Sequence, residues 1–176
     1  MLQNRKTAWL ITVAFMVAGL LLGSFMSFRS MREEAIVVFR QEVEPALHEQ
    51  MQMVYNMLTI YSFNTMATQV LADSIGNYIE QVQAGIQNVS PDLPLNVWLL
   101  TQHSESIYRQ STELNLSDTD ARFIQNFHID IQELQMVIAK SSYNIVAQDF
   151  NEASQRGLGF LSVLWGAFAN RQLPIF

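Results

Sequence analysis

Three histidines, His48, His103 and His128, are the first side chains to weigh for chemistry. A metal site needs convergent ligands, commonly an i, i+4 or Glu-x-x-His pair. These three fall on separate predicted helices, and His48-Glu49 lacks the second histidine of a His-Glu-x-x-His motif. A di-iron bundle needs an inward carboxylate from each of four helices, whereas the acidic residues here lie mainly off the apolar stripes. Met51, Met53 and Met57 offer thioethers that suit copper. Only Met51 lies on an apolar stripe, however, and methionine is a common core filler. Ser141-Ser142 has no lysine or histidine at nucleophile spacing. Gly157-Leu158-Gly159 follows a helix rather than a strand, the wrong setting for a phosphate loop. With no cysteine, thiol catalysis, disulfides, zinc ribbons and lipobox lipidation are excluded. The pattern is that of a non-enzyme with no metal and no cofactor.

The composition agrees with a membrane-linked helical chain. Hydrophobic residues make up 49% of the 176 and charged residues 15%, against about a quarter charged in soluble proteins. Seven glycines and four prolines favour long helices over a turn-rich β architecture. Residues 41–176 carry five Lys/Arg against fourteen Asp/Glu, a net of −9. A body of that charge has no basic stripe for phosphates, so nucleic acid is not an expected partner.

Residues 1–7 form a short tail ahead of Ala8 to Phe28, 21 residues without a charge. As a helix they span roughly 31 Å, the thickness of a hydrocarbon core. Arg5 and Lys6 flank the run on one side, Arg29 and Arg32 on the other, and Trp9 suits the headgroup level. A cleaved signal peptide is the competing reading, but the run exceeds a usual h-region and no clean Ala-x-Ala site follows. An uncleaved, single-pass membrane anchor is expected. The flanking charges, two (Arg5, Lys6) against three (Arg29, Arg32 and, further on, Arg40), lean the larger part to the cytoplasmic side by a single charge.

Residues 29–155 then read as a helical bundle. The anchor helix runs on without a breaker to Pro45, where a kink or restart is expected at Glu44-Pro45. Leu47, Met51, Val54, Leu58 and Tyr61 form one apolar stripe, and Leu71, Ile75, Tyr78, Val82 and Ile86 a second. Loops are expected near 62–65, with Asn64 or Thr65 as an N-cap, and near 88–94. A third helix runs from about Leu95 to Leu114. After a loop at 115–118, Ser117 and Asp120 suit a capping box. The fourth helix carries Ile124, Ile131, Ile138 and Ile145 seven apart, with Phe127 and Leu134 between them, and is predicted to run to about Gln155, roughly 57 Å. The expectation is an all-α protein: one transmembrane helix, then an up-down-up-down antiparallel four-helix bundle with long first and fourth helices.

The fourth helix of such a bundle returns towards the membrane. Residues 156–176 form an apolar C-terminal segment with a short helix. Leu158, Phe160, Leu161, Val163, Leu164, Trp165 and Phe168 lie in an uncharged run too short to span a bilayer. They either cap the bundle core or contact the bilayer or a membrane partner.

Tyr143-Asn144-Ile145-Val146-Ala147-Gln148-Asp149-Phe150-Asn151 resembles the Y-N-x-x-(A/V)-x-x-(F/Y)-N signature of the LemA family. Leu114 to Asp120 is similar to that family's inter-helix turn, and Val54-Tyr55-Asn56-Met57-Leu58 to its first bundle helix. The likeness covers about 35–176. Pro45 and Gly157-Leu158-Gly159 depart from the pattern. The resemblance implies a membrane-anchored helical bundle, in a family linked to envelope stress or membrane proteases, and supplies no catalytic residues. Tyr55, Asn56, Tyr143, Asn144, Phe150 and Asn151 are read as structural, the polar–aromatic pairs lying near the bundle interior and fixing register.

Two functions follow. The first is a non-catalytic interaction or scaffold protein of the bacterial envelope, with the bilayer and other membrane or envelope proteins as partners and homo-oligomers as an option. The alternative is a single-anchor sensor or small-molecule-binding bundle, which a cavity lined by Arg109 or Arg122 would favour.

Overall fold

A computed structural model describes residues 2–65, 69–156 and 172–176. Helix α1, Leu2–Val38, passes through a π-helical turn, Phe39–Val43, into α2, Glu44–Asn64. The three form one continuous rod. At the predicted kink or restart, Glu44-Pro45, the α-helical pattern resumes as α2 directly after the π turn, with Pro45 in its first turn. Proline lacks an N–H, and its ring clashes with the carbonyl four residues back. The wider π turn just ahead of Pro45 accommodates both, with the Glu44 N–H reaching the Phe39 carbonyl, five residues back.

The rod changes character along its length. Near its start, large apolar side chains are exposed on every side: Trp9, Leu10 and Ile11 in succession, then Phe15, Leu20 and Met26. None of its most apolar window is buried against the rest of the protein. From Phe28 onwards one face turns inward, through Met31, Ala35, Phe39 and Val43, and continues along α2 as Leu47, Met51, Val54, Leu58 and Tyr61. The predicted N-caps, Asn64 and Thr65, stand at the end of α2, and the residues that follow them, 66–68, lie outside the described ones. The Asn64 and Thr65 side chains bond back to the Ile60 and Tyr61 carbonyls, closing α2 at its C-terminus.

Helix α3, Gln69–Asn88, buries Ile75, Val82 and Ile86. It ends in a Schellman turn, with the Ser90 N–H on the Gly85 carbonyl and the Val89 N–H on that of Ile86. Val89, rather than a glycine, takes the left-handed position, at φ 46°. Helix α4, Leu93–Ser111, buries Leu93, Val97, Leu100, Ser104, Ile107 and Ser111, a 4-3-4-3-4 spacing. Helix α5, Asp118–Lys140, is capped by the Ser117 hydroxyl, which accepts from the Asp120 N–H, and buries Ile124, Ile131 and Ile138.

The single fourth helix predicted to residue 155 is divided. Ser141 is extended (ψ 143°), and α6, Ser142–Arg156, starts after it. One non-helical residue resets the phase. Ile145, fourth in the isoleucine series, is 67% exposed, while Tyr143, Ala147 and Phe150 take the buried positions. The break is well satisfied. Asn144 Nδ2 donates to the Ile138 and Ala139 carbonyls, Ser141 Oγ accepts from the Tyr143 N–H, and Glu42 accepts from both the N–H and hydroxyl of Ser142 at 2.8 and 2.7 Å.

Side-chain bonds give relative directions. Gln50 meets Thr101 and Tyr61 meets Gln110, so α2 and α4 run the same way. Asn64 meets Asp120 and Glu42 meets Ser142, so the α5–α6 stretch runs opposite to the rod. Because α6 starts beside Glu42 and Phe39 and packs along α1, it heads back towards Phe28.

Candidate functional site

The residues of the Tyr143–Asn151 signature converge on the end of the chain. Tyr143, Ala147 and Phe150, spaced 4 and 3, pack their side chains into the core. Beside them, Asn144 and Asn151 face residues 172–176. Asn151 is only 8% exposed, and its amide donates from Nδ2 to the Leu173 carbonyl and accepts at Oδ1 from the Leu173 N–H, both at 2.9 Å. It completes both backbone groups of one residue, as a neighbouring strand would. Asn144 Oδ1 accepts from the Phe176 N–H at 2.9 Å. Leu173 and Pro174 are buried, Ile175 points outward, and the Phe176 ring lies 6.4 Å from that of Tyr143, which meets Phe39 edge-on at 5.2 Å on its own account.

Burial pushes the Tyr143 hydroxyl's pKa up, and that hydroxyl finds no hydrogen-bond partner among the described residues. The Glu42 carboxyl is held below its ordinary value, chiefly by the Ser142 hydroxyl, whose bond favours the charged form. Chemically the arrangement can recognise an extended peptide backbone. The Asn144 and Asn151 side-chain amides are committed to hydrogen bonds with main-chain groups.

The other sequence-derived candidates separate. Tyr55 is 57% exposed, and Asn56 accepts from Gln52 on the surface at 3.1 Å, so this pair does not line the interior. Val54 and Met57 do so instead, one residue to either side. Met57 joins Met51 in the core; Met53 is half-buried. His48 lies near Glu44 (3.8 Å), His103 packs on Tyr78, and the His128 ring stacks on Tyr108 at 4.0 Å with Nδ1 3.5 Å from Glu105. Among the described residues no group of three His, Cys, Asp or Glu is placed to hold a metal. Arg109 is exposed and paired with Glu105, and Arg122 is exposed. Leu158, Phe160, Leu161, Val163, Leu164, Trp165 and Phe168 lie outside the described residues.

Two arrangements escaped the sequence reading. One is a polar layer within the core: Gln50 of α2 and Gln135 of α5 both donate to the Thr101 hydroxyl of α4, which donates to the Val97 carbonyl. Nothing in the spacing of single polar residues announces it. The other is the docked tail, for which a signal existed: two asparagines seven apart on one helix, in a chain ending Leu173-Pro174-Ile175-Phe176.

No family model matches the chain, and no curated protein or solved structure matches it either.

Proposed function

We propose that this chain is a membrane-anchored, non-catalytic interaction protein of the bacterial envelope, of the LemA type, with one pass through the cytoplasmic membrane. The observation that carries this reading is the uncovered apolar length of α1. Trp9, Phe15, Leu20, Leu22 and Met26 are each more than 60% exposed. In water such a surface is strongly unfavourable, at about 25 cal/mol for each Å². A bilayer removes that cost, and a helix of this length and composition can cross one. An apolar stripe on one side would suit docking onto protein; apolar residues all round suit lipid.

Beyond the membrane, we read α2 to α5 as an up-down-up-down four-helix bundle extended by α6. The parallel pairing of α2 with α4, the antiparallel pairing of α2 with α5, and the tight turn from α3 into α4 support it. Such a rod-mounted bundle holds an acidic, helical surface at a set distance from the bilayer for other envelope proteins. The charge asymmetry of Arg29 and Arg32 against Arg5 and Lys6, with Arg40 further on, leans that surface to the cytoplasmic side.

The test is in-cell crosslinking of the tagged full-length protein, followed by mass spectrometry. A reproducible membrane protease, transporter or stress factor among the products is the expected result. Recovery of the protein alone from the membrane fraction would overturn the scaffold reading; recovery from the soluble fraction would overturn the anchor.

A further inference from the structure

The contacts at the chain's end amount to a recognition site with its ligand in place. We propose that the groove on α6 is a receptor for an extended peptide segment, and that besides its own residues 173–176 it takes the same residues of a second copy of this chain. This inference does not rest on the membrane reading.

The geometry of the two asparagines is a ruler. Asn144 and Asn151 are seven residues apart, roughly 10.5 Å along a helix. Leu173 and Phe176 are three residues apart, roughly 10 Å in extended chain. The two spacings match, so both asparagines can engage one extended segment running antiparallel to α6. Each reads only main-chain groups, at Leu173 and Phe176. Pro174 carries no N–H, and it falls between the two positions that are read, where none is needed. Proline also biases the residue before it towards the extended form that Leu173 must adopt. Side chains then select: Leu173 and Pro174 fill buried positions, Phe176 meets Tyr143, and Ile175 is left outside. The recognised pattern is Leu-Pro-x-Phe.

None of these contacts depends on which chain supplies the tail. A second copy presents the same four residues and makes the same bonds, which is the general basis of domain swapping. Fifteen residues separate Arg156 from Gln172, a contour of up to about 50 Å, enough for a tail to reach a neighbour. The occupant of choice is the copy, because its tail is the one peptide whose fit to the groove is established.

The experiment exploits the absence of cysteine. Ile145 and Ile175 are both exposed and flank the contact of Asn144 with the Phe176 N–H. Full-length chains carrying Ile145→Cys under one tag and Ile175→Cys under another are mixed in mild detergent, which keeps the chain dispersed whether or not α1 spans a bilayer, and treated with a short bis-maleimide. A product joining the two tags is expected. It should fall at least about tenfold, the equivalent of one to two hydrogen bonds, when the acceptor also carries Asn151→Leu. A free peptide of residues 172–176 should compete it away. Leu173→Asp in the donor tests the same contact from the tail side, which controls for a folding defect in the Asn151 variant. Crosslinking confined to single chains that carry both cysteines would overturn exchange between copies. A two-tag product that survives both the substitutions and the peptide would overturn it as well, because the copies would then be meeting elsewhere.

Discussion

Tyr143 and Asn151 sit on one face of the same helix with opposite polar outcomes. Asn151 satisfies all that it buries, while the Tyr143 hydroxyl is buried without a partner among the described residues. Desolvating a hydroxyl with no compensating bond costs about 1–3 kcal/mol. Tyr143→Phe keeps the ring against Phe39 and should raise stability by about 1 kcal/mol, read by thermal unfolding in detergent. The pH profile adds a second readout. Because burial raises this group's pKa, the wild type loses stability as pH climbs above the ordinary tyrosine value, and the phenylalanine variant should lack that loss. A clear drop in stability on substitution would show that the hydroxyl has a partner after all. Glu42 has the reverse sign. Its pKa is lowered in the fold, so its contribution is present above the ordinary carboxylate value and is lost as pH falls through the depressed one. Glu42→Gln should be less stable than the wild type at neutral pH, with the gap closing on acidification. Parallel pH profiles for the two proteins would remove Glu42 as the cap of α6.

Elements in this protein are set by small exceptions to helical regularity. The π turn absorbs Pro45, the extended Ser141 rephases α6, and Val89 closes α3 in a conformation that suits glycine. A β-branched residue at positive φ is strained by about 1–2 kcal/mol. Val89 is held there by burial, at 5% exposed, and by the two Schellman bonds. The glycines of the same helix are not equivalent. A Cβ at Gly76 would meet nothing, so Gly76→Ala should stabilise by about 0.5–1 kcal/mol. At Gly85 it would fall 2.9 Å from Leu93 Cδ1 and 3.3 Å from its Cβ, and Leu93 is fully buried. Overpacking of about 1–3 kcal/mol should outweigh the helical gain there, leaving Gly85→Ala net destabilising. Melting curves of the two alanine variants should move in opposite directions; a common shift would mean that α3 and α4 pack less closely at their turn.

For the molecule as a whole, the decisive property is that one helix carries two kinds of surface, the first long and apolar enough to cross a membrane. Its first part exposes apolar residues on every side, and its later part buries a single stripe. Leu20, 75% exposed near the middle of the uncharged run, is the position to test. Arginine at the centre of a spanning helix costs about 2.5–3.5 kcal/mol of insertion. Leu20→Arg should move a large share of the chain out of the carbonate-resistant membrane fraction while leaving the body's unfolding transition in place. Unchanged fractionation would mean that this helix is not what holds the protein at the membrane.

The sequence alone determined whatever depends on near neighbours along the chain. The helical class, the uncharged run from Ala8 to Phe28, the stripes through α2 and α3, the cap at Ser117 and the isoleucines up to Ile138 all follow from composition, period and local hydrogen bonding. Tertiary structure decided what depends on distant partners. Ser141 leaves the helix where Glu42, a hundred residues earlier in the chain, caps the helix that follows. Heptad counting placed Ile145 inside, and the restart put Tyr143, Ala147 and Phe150 there instead. Tyr55 and Asn56 turned outward because the stripe of α2 passes to either side of them. Asn144 and Asn151 acquired their role only when a tail 32 and 22 residues further on, respectively, docked against them. Spacing reports which residues share a face; what that face meets is set by the packing of the whole chain.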